Sequence, residues 1–430
     1  MSKRIPLGAG AALLCLSAFA QNPEPPRALP PGITGTATAG ALTPVRGDQQ
    51  AASVPMTRFT GKPHEFPVET MAAVESVKLG SDWLFRMNQP GGRFAQGLNP
   101  TLRQWVEDSH DALRQGLAVR GYVAAARFTG DERHLARAAG GVLTLLTLTK
   151  AEADGSRSAN FTADRGNKAI FAALTILSIH ELPSVGPDQL VQADALAARL
   201  ATLIQPSGVI EITDGVEAGI VPSQDRLDAG AGLVLQALIE TYRRKSDATL
   251  RDVLPKAVAA MAREAKAKPT VNRLSTAIPC VVEYALLAGK EPGLCALAFE
   301  LTDMLVAVQV PRTESRRGTW IGGFAKPGEE PNIDSALAVT AICRSAYLTR
   351  QVPDLARFQK YRRSAVDGIG FLRTLQLTDE ATDHFTPAFR TKFLNGGVRS
   401  APADGSVRAD ACGVALTAWV GYLTQGTERD

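Results

Sequence analysis

Trp83-Leu84-Phe85-Arg86-Met87-Asn88-Gln89-Pro90-Gly91-Gly92-Arg93-Phe94 joins the end of an amphipathic helix to a turn, and later stretches repeat its pattern. Gln89, Gln205, Gln309 and Gln376 each close a charged helix, and each has an apolar residue five positions earlier: Leu84, Leu200, Met304 and Phe371. Gln89 is followed by Gly92 and Phe94, Gln205 by Gly208 and Ile210, and Gln309 at longer range by Trp320-Ile321-Gly322-Gly323-Phe324. The glutamines are 116, 104 and 67 residues apart. Those intervals fit two, two and one helix hairpins of roughly 50–65 residues.

Around these markers the chain alternates two kinds of helix. Striped helices with one apolar face are expected over 68–88, 132–149, 189–204, 250–266, 295–308 and 355–375. Helices apolar or small nearly all round are expected over 110–128, 167–181, 228–242, 273–287, 334–348 and 410–423. A striped helix covers a core on one side, whereas a helix apolar on every face must be buried on every face. Strict alternation therefore predicts an all-α fold: a ring of six inner helices wrapped by six outer ones, an (α/α)6 toroid over residues 61–430.

Trp83-Leu84 to Gln89-Pro90-Gly91-Gly92-Arg93-Phe94, and Gly368-Ile369-Gly370-Phe371-Leu372 to Gln376, resemble the repeat motif of the α/α-toroid superfamily of squalene cyclases and protein prenyltransferases. The likeness spans about residues 68–424 and implies the fold alone. A weaker likeness to the toroid of glucuronyl C5-epimerases runs from Gly91-Gly92-Arg93-Phe94 through Leu113-Arg114-Gln115-Gly116. The chemistry of these families leaves little trace. The cyclase Asp-x-Asp-Asp acid is reduced here to the lone Asp334, and aromatics make up only 6% of the chain. A prenyltransferase zinc set is not visible, and the tyrosines that the epimerase likeness would place at the mouth fall mid-helix or at helix C-terminal ends.

The N-terminus reads as an export signal. Lys3 and Arg4 precede the apolar run Leu7 to Phe19, and Ala18-Phe19-Ala20 supplies small residues for cleavage near Ala20. A lipoprotein alternative through Cys15 lacks the small residue expected just before it. Residues 21–60 are rich in Pro, Ala, Gly and Thr, a composition that predicts a disordered leader. No later stretch reaches ~18 uninterrupted apolar residues, so no stable membrane insertion is expected. Loss of Lys3 and Arg4 takes the formal charge from +4 to +2, too weak a basic field for a nucleic-acid partner. Cys280, Cys295, Cys343 and Cys412 show no metal-like spacing. Buried thiols are the expectation, with disulfides left open, and neither a metal nor a cofactor is expected.

The loops carry the functional information. Inner-to-outer connections are short (129–131, 245–249, 289–293), whereas outer-to-inner connections are mostly long (90–109, 150–166, 206–227, 310–333, 377–409). In a hairpin ring all the long loops emerge at one end, which predicts a binding mouth there. The inner helices also begin at that end, so their free N–H groups and positive dipole ends converge on it. Asp108, Asp228, Asp334 and Asp410 stand at these starts, and His110 lies beside Asp108. Facing carboxylates with separated pKa values can divide acid and base roles, and a histidine at the mouth suits a base at neutral pH. Helix capping explains each acid equally well when taken singly. Arg93, Arg114, Arg165, Arg226, Arg399 and Arg408, with the aromatic Trp320, crowd the same loops. Their planar guanidinium forks suit carboxylate or sulfate, so an anionic glycan is the expected partner. The sequence thus predicts an exported glycan-active enzyme, a hydrolase, lyase or epimerase on an acidic polysaccharide. A non-catalytic toroid binding a glycan, peptide or partner protein is the alternative, and a cyclase-like enzyme lacking its usual acid motif is the third reading.

Overall fold

The computed structural model describes residues 68–106, 111–212, 224–313 and 317–427, without the side chains of 224–228. The expected signal peptide and leader, Asp108, His110, and the side chains of Arg226 and Asp228 lie outside the described residues.

Striped and fully buried helices alternate as the periodicity predicts. The outer set is α1 (Val68–Met87), α3 (Glu132–Thr147), α5 (Pro187–Ala201), α7 (Ala248–Ala267), α9 (Pro292–Val306) and α11 (Leu355–Leu375). The inner set is α2 (Asp111–Thr129), α4 (Lys168–Glu181), α6 (Gln224–Arg244), α8 (Val271–Leu287), α10 (Ser335–Gln351) and α13 (Ala409–Gly421); α12 is a single turn, Pro387–Phe389. Local chemistry sets many boundaries. Asp131, Asn167, Asp247, Thr270 and Asp354 accept backbone N–H groups as N-caps of α3, α4, α7, α8 and α11. Pro187 and Pro292 open α5 and α9, where a missing N–H costs nothing. Along α3 the buried residues are His134, Ala138, Gly141, Val142, Leu145 and Leu146, one helical stripe. Along α4 every residue from Ala169 to Ile179 is buried.

Among the described residues the inner helices touch in the cyclic order α2, α4, α6, α8, α10, α13 and back to α2. Closure depends on a glycine pair. A Cβ on Gly121 of α2 would lie 1.8 Å from the Gly413 carbonyl oxygen of α13, so the two backbones meet directly. At one end of the ring the first and last long loops join in a four-stranded antiparallel sheet. Its strands run β2 (Gln104–Trp105), β1 (Gly97–Asn99), β6 (Val407–Arg408) and β5 (Val398–Arg399). Leu98 pairs with both Trp105 and Val407, and the Ala409 N–H donates to the Gln96 carbonyl at 2.9 Å. A second hairpin, β3 (Thr149–Ala151) with β4 (Arg157–Ala159), occupies the loop between α3 and α4.

The glutamine repeat has a structural meaning. Asn88, Ile204, Gln309 and Gln376 each form an isolated β-bridge after an outer helix. A left-handed glycine follows in each loop: Gly92, Gly208, Gly322 and Gly396. A Cβ on each would strike a backbone oxygen of another outer helix, Gly140 of α3, Lys256 of α7, Asp367 of α11 and Leu79 of α1, at 2.6, 2.3, 2.0 and 1.9 Å. Gln309 Nε2 donates to the Gly322 and Ser364 carbonyls at 2.9 Å each, and Gln376 Nε2 donates to the Ser76 carbonyl at 3.0 Å. The motif pins neighbouring outer helices together.

Candidate functional site

The inner helices start where the long loops lie, and the rim there is charged. Asp111, the first residue of α2, accepts two bonds from Arg165, at 2.7 Å from Nε and 2.6 Å from Nη2. Arg93 reaches the same carboxylate at 3.2 Å with its own side chain 52% exposed. Burial alone would raise the Asp111 pKa; the bonds and charge of Arg165, aided by Arg93, outweigh it and hold the carboxyl below its ordinary value. Among the described residues, this one carboxylate thus faces two guanidinium groups.

Deeper on the same side, Asp410 is fully buried. Arg114 Nη1 donates to its Oδ2 at 2.8 Å and Arg408 Nε to its Oδ1 at 3.3 Å, both arginines being nearly as inaccessible. Arg114 comes from α2 and the other two from the start of α13, so this triad bridges the closing seam. Asp410 was expected as an acid or base, and Arg114 and Arg408 as ligand contacts. The structure places the three together, buried and mutually paired. Asp334 is also buried; it stands at the N-cap of α10 without capping through its side chain. The Asp334 N–H is held by Asn332 Oδ1 at 2.8 Å. Arg399 donates to the Pro402 and Thr374 carbonyls, at 3.1 and 2.8 Å, and ties the last loop to α11. Trp320 carries the Arg317 guanidinium 4.0 Å above its ring. The structure therefore brings Arg93 and Arg165 together, joins Arg114 and Arg408 to Asp410, and sets Arg399 and Trp320 in separate loop contacts.

Sequence reasoning missed a second cluster, on the ring axis. Arg120 of α2 donates to Gln236 Oε1 of α6 at 3.3 Å and lies 3.9 Å from Glu181 Oε1 of α4. Since α4 stands between α2 and α6 in the ring, the Arg120–Gln236 contact passes across the inside of the ring past α4. Glu283 of α8, with no exposed surface, lies between Arg243 of α6 and Arg344 of α10, and Arg243 also pairs with Glu240. Three arginines and three glutamates close the axis between mid-helix and the C-terminal ends, forming a floor beneath the mouth. Burial drives the Arg344 pKa down to about 10 and pushes Glu181 up. At Glu240 burial also opposes ionisation, but Arg243 and Arg344 prevail and hold it down. The signal was present in the sequence: charges such as Arg120, Glu283 and Arg344 stand among apolar and small residues within the inner helices, and a charge buried on every side needs a partner. All four cysteines within the described residues are buried and free of disulfides. No described helix is long and apolar enough to cross a membrane.

No protein-family model matches the sequence, and no curated protein matches it. Solved structures do. A D-mannose isomerase aligns over 84% of this chain and 99% of its own with 11% identity and a TM-score of 0.58. A sugar epimerase from a ruminal bacterium aligns over 84% and 100% with 10% identity and the same TM-score. An unsaturated glucuronyl hydrolase specific for heparin aligns over 81% and 96% with 13% identity and a TM-score of 0.51. The chain has the fold of an α/α toroid. At such identities the likeness is one of fold. These neighbours of the toroid are sugar-active, and they lend no support to the squalene cyclase and prenyltransferase resemblance suggested by the glutamine repeat.

Proposed function

We propose that this toroid is an exported, glycan-active enzyme that takes an acidic sugar at its mouth. The observation that carries the reading is the rim, where Asp111 is saturated by Arg165 and the half-exposed Arg93 guanidinium remains available to a second anion. Support comes also from the neighbours, which include a sugar isomerase, an epimerase and a glucuronyl hydrolase specific for heparin. The acid and base belong to the carboxylates at the inner-helix starts, Asp108, Asp228 and Asp334, with His110. The reaction class is hydrolysis, elimination or epimerisation. Asp410, fully buried between Arg114 and Arg408, is the least accessible of the expected acids and is left out of the proposed pair. The commitment of Asp410 is also the observation that favours a non-catalytic sugar binder as the second reading.

The test is a thermal-shift and calorimetric screen of the mature protein against oligogalacturonates and heparin fragments, with neutral mannohexaose as control. Binding of the acidic oligomers weakened roughly 5–10-fold by Arg93→Ala supports the mouth, the loss expected for one charge-assisted contact. Mass spectrometry then reads turnover. Product formation abolished by Asp334→Asn or Asp108→Asn supports catalysis; binding without product, unmoved by either change, leaves the binder. Equal binding of mannohexaose, or no binding of either acidic oligomer, overturns the reading.

A further inference from the structure

Beside the mouth, under the β3–β4 hairpin, lies a cleft of about 850 Å³ framed by the first turns of α4 and the last turn of α5. That volume lies within the range of small-ligand sites, roughly 300–1,000 Å³. The floor is apolar: Ala159, Ala169, Ala172 and Leu200 are all buried there. The partly exposed ring of Phe161 lines one wall and is held edge-on by Phe171 at 5.0 Å. A sugar ring has the same two-sided character, with apolar C–H faces and a polar rim.

The walls carry four cations against two carboxylates, and the carboxylates are already occupied. Asp154 accepts the Ser156 N–H at 2.9 Å and its hydroxyl at 2.6 Å, while Glu152 is held by Ser158 and by Lys150 at 3.4 Å. Arg157 turns back onto Thr149. Lys168, at the start of α4, and Arg199, in the last turn of α5, make no ion pair with another described residue. Two cations free of direct ion pairs among the described residues, Lys168 and Arg199, stand over an apolar floor and are what an anionic sugar unit needs. The Arg199 charge already adds to the Ser156 hydrogen bonds that hold the Asp154 carboxyl below its ordinary value. The cleft also adjoins the rim, because the Arg165 guanidinium that grips Asp111 lies 6.0 Å from the Phe161 ring centre.

We infer that this cleft is a second saccharide site, in which Lys168 and Arg199 hold the acidic group of one sugar unit of a chain whose other end occupies the mouth. The inference rests on the mouth being the primary sugar site. It predicts a length dependence, because a chain long enough to engage both sites gains from the high effective concentration of its second end.

Calorimetry of the mature protein with digalacturonate and hexagalacturonate, repeated on Lys168→Ala/Arg199→Ala, tests it. The expected result is a roughly 10-fold loss of hexagalacturonate affinity in the double variant with digalacturonate affinity unchanged. Hydrogen exchange is expected to slow across residues 149–162 when hexagalacturonate binds to wild type. Unchanged hexagalacturonate affinity in the variant, with no protection of 149–162, overturns the cleft and leaves the mouth reading standing. Failure of both oligomers to bind the wild type overturns both. Protection of 149–162 by neutral mannohexaose to the same extent overturns the roles of Lys168 and Arg199.

Discussion

Asp410 shows how a residue's surroundings decide its role. A carboxylate at a helix start beside the mouth is a reasonable acid or base until its exposure falls to zero and two guanidinium groups face it. Breaking such a site removes the charge that Arg114 and Arg408 share, at a cost of about 3–5 kcal/mol. Asp410→Asn is therefore expected to lower the unfolding free energy by that much in urea titration. A loss under about 1 kcal/mol would show that the triad is not a buried ion set. His180 on α4 provides a pH test. Burial, helped by the charge of Arg244, drives its pKa down to about 4, so the folded protein keeps the ring neutral where the unfolded chain protonates it near 6.5. The unfolded state binds the extra proton between those values, so stability is complete above about pH 6.5 and falls as pH drops toward 4. The full shift corresponds to about 3 kcal/mol. Residual exposure of the imidazole reduces this to roughly 1–2 kcal/mol. Stability measured from pH 7 to 4 should decline less steeply in His180→Gln, and identical slopes would show that His180 does not contribute.

At the scale of elements, the loops after the outer helices are held by left-handed glycines, and their substitution costs should follow what each Cβ meets. Gly322, at φ 83°, would place a Cβ 2.0 Å from the Asp367 carbonyl oxygen, so Gly322→Ala must move α11 or its own loop. Gly91, at φ 86°, has nothing within 4 Å. Gly91→Ala is expected to cost about 1–2 kcal/mol from backbone conformation alone, and Gly322→Ala more than about 3 kcal/mol once the clash is added. Chemical denaturation compares them, and equal losses would remove the clash from the account. This level was the most legible in the sequence. The spacing of Gln89, Gln205, Gln309 and Gln376 located these turns because a repeated backbone geometry needs a repeated residue choice. Asn167 and Asp354 likewise cap helices where cap chemistry predicts. The short strands β1, β2, β5 and β6 left no alternating pattern, since two or three residues are too few to show one, and the β1–β6 pairing joins residues about 300 apart. Nor was the pairing of Arg114 with Asp410, or of Arg243 with Glu283, readable, because it depends on which helices the ring makes neighbours.

Over the whole molecule, the feature that makes a ring of a row of hairpins is the meeting of α2 with α13. The Arg114–Asp410–Arg408 triad, the β1–β6 pairing and the Gly121–Gly413 crossing all lie on this one seam, so closure and the shape of the mouth depend on the same contact. Glycine in a helix interior ordinarily costs roughly 0.5–1 kcal/mol relative to alanine, so its replacement normally stabilises. Gly140 of α3, with open space at its Cβ position, should follow that rule, and Gly140→Ala is expected to gain up to about 1 kcal/mol. At Gly121 the sign should reverse, because a Cβ 1.8 Å from the Gly413 carbonyl forces the two helices apart and disturbs the seam along its length. Gly121→Ala is expected to lose more than about 4 kcal/mol. It should also admit protease into residues 396–408, the segment that pairs the last loop to the first. Unfolding titration with limited proteolysis compares the two variants. If Gly121→Ala proves as harmless as Gly140→Ala, the ring is not closed through this crossing, and the mouth must be held in shape by its loops alone.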